Sequence, residues 1–307
     1  MTALLLLALM IAGTAGYVSW AKHMIAHGTP EWLLVAGAPV VYFAPALVLI
    51  ALWFVATWFW RTPRPPEARL GVAAALRLYL TEVWTLAASW PLMALHRILV
   101  RDPAPAPATL PVLLIHGVLV NDGVWLFTRR RLARRGVGPI YTLNYGPPFA
   151  DIEDFAVQLR ARIERICALT GATRVMLVGH SMGGLVSRAY LRRFGAERVA
   201  KLVTIGTPHH GSVLAWTFPG RGLEEMRPGN AWLEELNQGE RHAAPVPVVS
   251  IWSRHDDMVA PQASSELACA ESVPLTGVGH NSLINDERVV GRVAMEFASA
   301  RSQAAPG

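Results

Sequence analysis

Two kinds of hydrophobic patterning divide the chain. From Thr2 to Trp20 no charge interrupts nineteen residues of mostly Leu, Ala, Ile and Met. A polar loop with Lys22, His23, His27 and Glu31 follows, and then Trp32 to Trp60 runs uncharged. At 1.5 Å per residue, about nineteen helical residues cross the hydrocarbon of a bilayer. Both runs therefore predict membrane-crossing helices, with Pro39 and Pro45 kinking the second or marking a late start. Trp53, Trp58, Phe59 and Trp60 fit an interfacial aromatic belt, and equally an aromatic-rich helix face. A secretory signal peptide is the alternative for the first run. Gly13-Thr14-Ala15 would serve as a cleavage site, but no positive residue precedes Lys22.

Residues 61–109 begin with RTPRPPEAR and end with DPAPAPAT, both expected to be extended. Between them Leu76, Leu80, Val83, Ala87 and Trp90 recur at helical spacing, with Arg77 and Glu82 outside the stripe. This predicts an interfacial helix; a third span is the alternative. From Leu110 the pattern changes to short apolar runs separated by helical stretches. Val112–Ile115, Ile140–Leu143, Val175–Val178, Leu202–Ile205 and Val246–Trp252 read as buried strands. Asp122–Arg135, Asp151–Leu169 and Met182–Phe194 read as helices. That alternation predicts an α/β fold, a mostly parallel sheet with helices on both faces, preceded by a transmembrane helical hairpin. The expected domains are 1–60, 61–109 and 110–307.

Composition sharpens the division. Charged residues are only 16% of the chain, against about 25% in a typical soluble domain, and residues 1–60 hold just Lys22 and Glu31. Disorder, collagen-like repeats and a fully soluble protein are excluded for the chain as a whole. The net charge of +6 lies after residue 60 and is carried by arginine, since Lys22 and Lys201 are the only lysines. No basic motif with interleaved aromatics accompanies it, so no nucleic-acid partner is expected. The cluster Arg129, Arg130, Arg131, Arg134, Arg135 reads as a solvated helix face, with contact to anionic lipid as the alternative. Arg61, Arg64, Arg69 and Arg77 follow the second apolar run, so the positive-inside rule puts both ends of the chain in the cytoplasm. The expected location is a bacterial inner membrane, crossed more than once. Cys167 and Cys269 are too few for a disulfide framework and lack metal-ligand spacing.

Ligands of parallel sheets sit beyond the carboxyl ends of the strands, which directs attention to the residues following each one. After Val175–Val178 comes Gly179-His180-Ser181-Met182-Gly183-Gly184, the G-x-S-x-G pattern of a tight strand-to-helix bend. Such a bend crowds its flanks, which demands small residues, and exposes the hydroxyl at a helix N-terminus that favours developing negative charge. Ser181 is the expected nucleophile. Its base should follow later in the chain, and His280 in GVGHNSL is the candidate, expected within hydrogen-bond reach of Ser181. His209, His210 and His255 read as turn or loop residues. The acid should come from Asp256 or Asp257 in SRHDDMV. Asp256 is favoured by its Asp-x-x-Val spacing, which leaves Asp257 to face solvent or cap a turn.

These motifs in this order, IHG, GHSMGG, GTPHHGS, SRHDDMV and GVGHNSL, resemble the α/β-hydrolase superfamily and within it the bacterial lipases and lipase-like esterases. The resemblance covers about residues 110–300. It implies a serine carboxylic-ester hydrolase, with acyltransferase or thioesterase chemistry through the same triad as the alternative. It also implies an oxyanion hole from the backbone N–H groups of Met182 and Val118, with Leu119 as the fallback. Residues 212–244 look like a cap or lid over an acyl pocket, or else a packed excursion. No cofactor is implied. Ser282 stands where some secreted relatives carry a calcium-binding aspartate, so no metal is carried over. The expected partners are an apolar ester or acyl lipid and the bilayer.

Overall fold

The computed structural model describes residues 2–238 and 244–304. Two long helices open the chain, α1 (Thr2–Ala26) and α2 (Glu31–Phe59), joined by a short turn. Both are long and apolar enough to cross a membrane. The Tyr17 hydroxyl of α1 donates to the Leu34 carbonyl of α2 at 2.5 Å. Helix α3 (Val72–Ala94) then runs along α2. The seam is dry: Ala46 and Ile50 of α2 meet Val83 and Ala87 of α3, all buried. Tyr42 donates to the Ala87 carbonyl at 2.9 Å and Tyr79 to the Leu47 carbonyl at 2.7 Å. The short α4 (His96–Leu99) follows.

The apolar stripe of α3 differs from the expected one. Leu76 and Leu80 are about half exposed, at 55% and 49%, whereas Glu82 is fully buried. The reason is that α3 packs against the sheet domain as well as against α1 and α2. The face bearing Glu82 turns toward the domain. The segment preceding α3, expected to be extended, contains a short 3-10 turn at Pro66–Ala68 and is tied to the domain. Thr62 N–H donates to Gln262 Oε1 at 2.9 Å, Ala263 N–H donates to Thr62 Oγ1 at 2.9 Å, and Arg64 Nε donates to the Arg254 carbonyl at 2.8 Å.

The sheet contains β1 (Val112–Ile115), β2 (Ile140–Leu143), β3 (Val175–His180), β4 (Val199–Ile205), β5 (Val248–Ser253) and β6 (Glu271–Leu275), in the order β2-β1-β3-β4-β5-β6. Every pairing is parallel. Alternate residues of one strand feed two cores. Leu113 and Ile115 of β1 join Leu177 on one face, and Val112 and Leu114 join Met176 and Val178 on the other. Burial on both faces is why these strands read as continuous apolar runs.

Helices α6 (Ile152–Thr170) and α7 (Met182–Phe194) cover the first face, and α5 (Leu126–Arg134) and α10 (Glu287–Ala304) the second. Asp151 caps α6 by accepting the Asp154 N–H at 2.7 Å. The arginine cluster of α5 is partly engaged by the protein. Arg129 donates to the Arg101 carbonyl, Arg131 to the Asn285 carbonyl, and Arg135 pairs with Glu287.

After β4 the chain forms α8 (Arg221–Glu225) and α9 (Ala231–Gln238) before returning to the sheet. Ala215, Leu223, Met226, Leu233 and Leu236 of this excursion enter the core beside α6 and α7. Much of the expected cap is thus packed structure, and its residues 239–243 lie outside the described ones.

Candidate active site

Strand β3 delivers Ser181 to the carboxyl edge of the sheet, where α7 begins at Met182. The bend puts Ser181 at φ 55° and ψ −127°, strained for a residue with a Cβ. The flanks are as crowded as the motif requires. A Cβ on Gly179 would lie 2.6 Å from the Gly184 nitrogen, and one on Gly117 would lie 2.9 Å from the Ser181 Cβ. Ser181 N–H donates to the Ile205 carbonyl at 2.9 Å, which pins the bend to the end of β4.

The loop after β5 brings Asp256, and the loop after β6 brings His280, to the same edge. His280 Nδ1 lies 2.8 Å from Asp256 Oδ2, with both side chains buried. The other oxygen of Asp256 accepts from Met258 and Val259 N–H at 2.8 and 2.7 Å. These bonds orient the carboxylate and give the Asp-x-x-Val spacing its physical meaning. Burial alone would lower the His280 pKa, but the charge and hydrogen bond of Asp256 outweigh it and raise the pKa. Nδ1 therefore donates to Asp256, which leaves Nε2 as the nitrogen free to exchange a proton.

Asp257, expected to face solvent or cap a turn, does not face solvent. It is fully buried, and its Oδ1 accepts the backbone N–H of His280 at 2.8 Å. The two adjacent acids thus divide their work, one holding the imidazole and the other the backbone that carries it.

Ser181 and His280 share a corner of the fold. Ser181 is bonded to Ile205, and a Cβ on the next residue, Gly206, would lie 3.3 Å from both His280 Nδ1 and Asp256 Oδ2. Among the described residues the Ser181 hydroxyl makes no hydrogen bond to His280. Proton transfer between them requires the contact to tighten, as catalytic contacts do when a substrate is bound.

His180 packs against His280 with ring centroids 4.7 Å apart, and its Nε2 donates to the His280 carbonyl at 3.1 Å. Burial and the nearby His280 push the His180 pKa well down, so it is a neutral brace. On the opposite wall the Tyr145 ring stacks on His116 at 4.2 Å, and its hydroxyl donates to the His116 carbonyl at 2.6 Å. This fixes the chain just before Val118. Neither the Val118 nor the Met182 N–H finds an acceptor among the described residues. Leu119 adopts φ 57°, so the backbone turns sharply after Val118. Gly222 of α8 sits over Met182, close enough that a Cβ would lie 3.4 Å from its sulfur. The excursion after β4 therefore borders the site.

Several residues here were not anticipated. Glu82 reaches the His280 loop from α3. His209, expected in a turn, is fully buried between Arg188 at 3.2 Å and Thr204 at 3.1 Å. A lone acid beside a long uncharged run was the available signal for Glu82; His209 gave none. Among the described residues no group of three or more His, Cys, Asp or Glu side chains is arranged to hold a metal.

Comparison with known proteins agrees with this architecture. A PGAP1-like alpha/beta domain matches residues 142–277. A triacylglycerol lipase of Pseudarthrobacter phenanthrenivorans is 36% identical over 118 residues, covering 36% of each chain. A 1-acylglycerol-3-phosphate O-acyltransferase of Sus scrofa is 28% identical over 137 residues, covering 41% of this chain and 36% of its own. The chain thus spans about a third of the length of these curated relatives. Among solved structures, Aspergillus fumigatus lipase B superposes with a TM-score of 0.59 at 17% identity, covering 86% of both chains. With its six parallel strands and its serine bend after β3, the chain has the α/β-hydrolase fold.

Proposed function

We propose that this protein is a membrane-anchored serine hydrolase that cleaves carboxylic esters. The observation that carries the reading is the strained Ser181 bend beside the buried His280–Asp256 pair. Ser181 Oγ attacks the ester carbonyl while His280 Nε2 takes its proton. Asp256 holds the Nδ1–H tautomer and stabilises the imidazolium. The tetrahedral oxyanion is received by the N–H groups of Met182 and Val118, each worth about 3 kcal/mol in the transition state. His280 then protonates the leaving alcohol, and a water activated by the same imidazole hydrolyses the acyl-enzyme. No cofactor takes part.

The substrate class follows from the surroundings. Leu119, Phe149 and Trp216 are exposed apolar side chains on segments bordering the site. On α2 an uncovered stripe of Val41, Val48, Leu52, Val55 and Phe59 offers apolar surface that water would disfavour and lipid would accept. An apolar ester or acyl lipid drawn from the bilayer fits both features. We place the anchor in a bacterial inner membrane with the catalytic domain on the cytoplasmic side. The support is Arg61, Arg64, Arg69 and Arg77 after the second apolar run, against Lys22 alone near the C-terminal end of α1.

An acyltransferase is the second reading. It is favoured by the Sus scrofa relative, whose name describes acyl transfer. The two differ only in whether water or an alcohol resolves the acyl-enzyme. A fluorophosphonate probe tests the shared chemistry. Wild type is expected to label and Ser181→Ala is not; equal labelling of both would sink the assignment. Offering labelled acyl ester with and without lysophospholipid then separates hydrolysis from transfer.

A further inference from the structure

The loop carrying His280 hangs between two carboxylates from distant parts of the chain. Glu82, on α3, is fully buried. Its Oε2 accepts from the Asn281 N–H at 2.9 Å and from Asn281 Nδ2 at 3.1 Å, and its Oε1 accepts from the Ser282 N–H at 3.0 Å. From the other side Asp257 accepts the N–H of His280 itself. Three consecutive backbone donors thus end on carboxylate oxygens. Gly279 lies so near the Glu82 carboxyl that any Cβ there would collide with it, so the loop is shaped to this side chain.

The apolar contacts of α3 with the domain core lie further along the helix, at Trp90 and Met93. Beside Glu82, α3 and the domain are separated by a cavity of about 850 Å³, lined by Arg77, Trp84, Val120, Phe127 and Asn281 among others. Burying a carboxylate costs several kcal/mol, so an acid held in such a place by backbone donors calls for a reason beyond stability. Burial raises the Glu82 pKa, and the bonds from Asn281 and Ser282 oppose that rise. Burial raises Asp257 further, helped by the charges of Glu82 and Asp256, and Asp257 Oδ2 has no partner among the described residues. Both oxygens of Glu82 accept hydrogen bonds and neither donates one, the bonding pattern of an ionised carboxylate.

On the reading of Ser181 and His280 above, we propose that Glu82 is a positioning residue for His280. It ties α3, and through α3 the N-terminal helices, to the backbone just after the histidine, and so sets the reach of the imidazole toward Ser181. The seat of the domain on its anchor then becomes part of the catalytic geometry.

The test compares full-length wild type, Glu82→Gln and Glu82→Asp in detergent, by hydrolysis of a p-nitrophenyl ester and by the rate of fluorophosphonate labelling. Glu82→Gln keeps the shape but turns one acceptor into a donor aimed at an N–H. Its kcat is expected to fall about 10- to 100-fold with KM within about twofold, the pattern of a misplaced reacting group. The groups facing His280 are Asp256, Asp257, Glu82 and His180. Removing the negative charge of Glu82 should therefore also move the acid limb of kcat/KM to lower pH. Glu82→Asp, which keeps the charge, should leave that limb in place and lose less activity.

Should Glu82→Gln fail to fold, Gly279→Ala pushes the same loop off the carboxyl and should show the same kcat-weighted loss. A Glu82→Gln protein that melts lower yet retains the wild-type kcat and acid limb would overturn this inference alone. Wild type that neither labels nor hydrolyses would overturn the proposed function and this inference together.

Discussion

Asp256 and Asp257 show how finely role depends on direction at the scale of a residue. Adjacent along the backbone, they point to different atoms of the same histidine, one to Nδ1 and one to the backbone N–H. Replacing Asp256 by Asn removes the acceptor that selects the tautomer, and kcat should fall about 10⁴-fold. Replacing Asp257 by Asn keeps an amide oxygen to accept the His280 N–H, and the loss should stay within about tenfold. Steady-state kinetics on the two variants decides between these acids, and comparable losses would refute the division of labour. The raised His280 pKa fixes a pH dependence as well. The base must be neutral to take the serine proton, so kcat/KM should climb with pH through a midpoint above that of an ordinary histidine. In Asp256→Asn, with the raising charge gone, that midpoint should move down. Ser181, His280 and Asp256 were legible in sequence because each sits in a local pattern, the last through the Val259 N–H three residues on. Glu82 was not, because its partners lie 199 and 200 residues away and only folding brings them together.

Among the elements, legibility followed burial. β1, β3 and β5 are buried at every position and read directly as apolar runs. β6 has the sequence ESVPL, is exposed or half-buried throughout, and carries Pro274, which an edge strand tolerates because one side has no ladder to complete. Its pattern resembles a loop, and only pairing with β5 makes it a strand. Helix α3 was found but rotated, since spacing alone cannot distinguish one buried face from two. Its observed orientation makes a prediction of its own. Ala87 is fully buried against α2, where the Tyr42 hydroxyl reaches its carbonyl. Ala87→Leu should overpack the seam and cost about 1–3 kcal/mol. A thermal melt of the detergent-solubilised chain should show this, and an unchanged melting temperature would mean that α2 and α3 do not pack in this way.

At the scale of the whole molecule, the question is why the sheet domain is joined so firmly to apolar helices. The domain is tied to them at Thr62, at Arg64 and at Glu82, so these helices act as a base rather than a tether. A long flexible linker would leave the site free to tumble. This arrangement instead holds one face of the domain toward whatever surrounds α1 and α2. If that medium is lipid, the uncovered stripe of α2 must lie in it. Leu52 and Val55 stand on that stripe at 58% and 57% exposure. Glutamate at both positions would have little effect on a helix in water. In hydrocarbon each charge costs about 2.5–3.5 kcal/mol on insertion scales, enough together to shift partitioning more than a thousandfold. The Leu52→Glu/Val55→Glu chain should therefore move from the carbonate-resistant membrane pellet to the extractable fraction. Fluorophosphonate labelling at Ser181 in that fraction would report that the catalytic domain still folds. Retention in the resistant pellet, with labelling intact, would show that this face of α2 is turned away from lipid and that the membrane is held elsewhere.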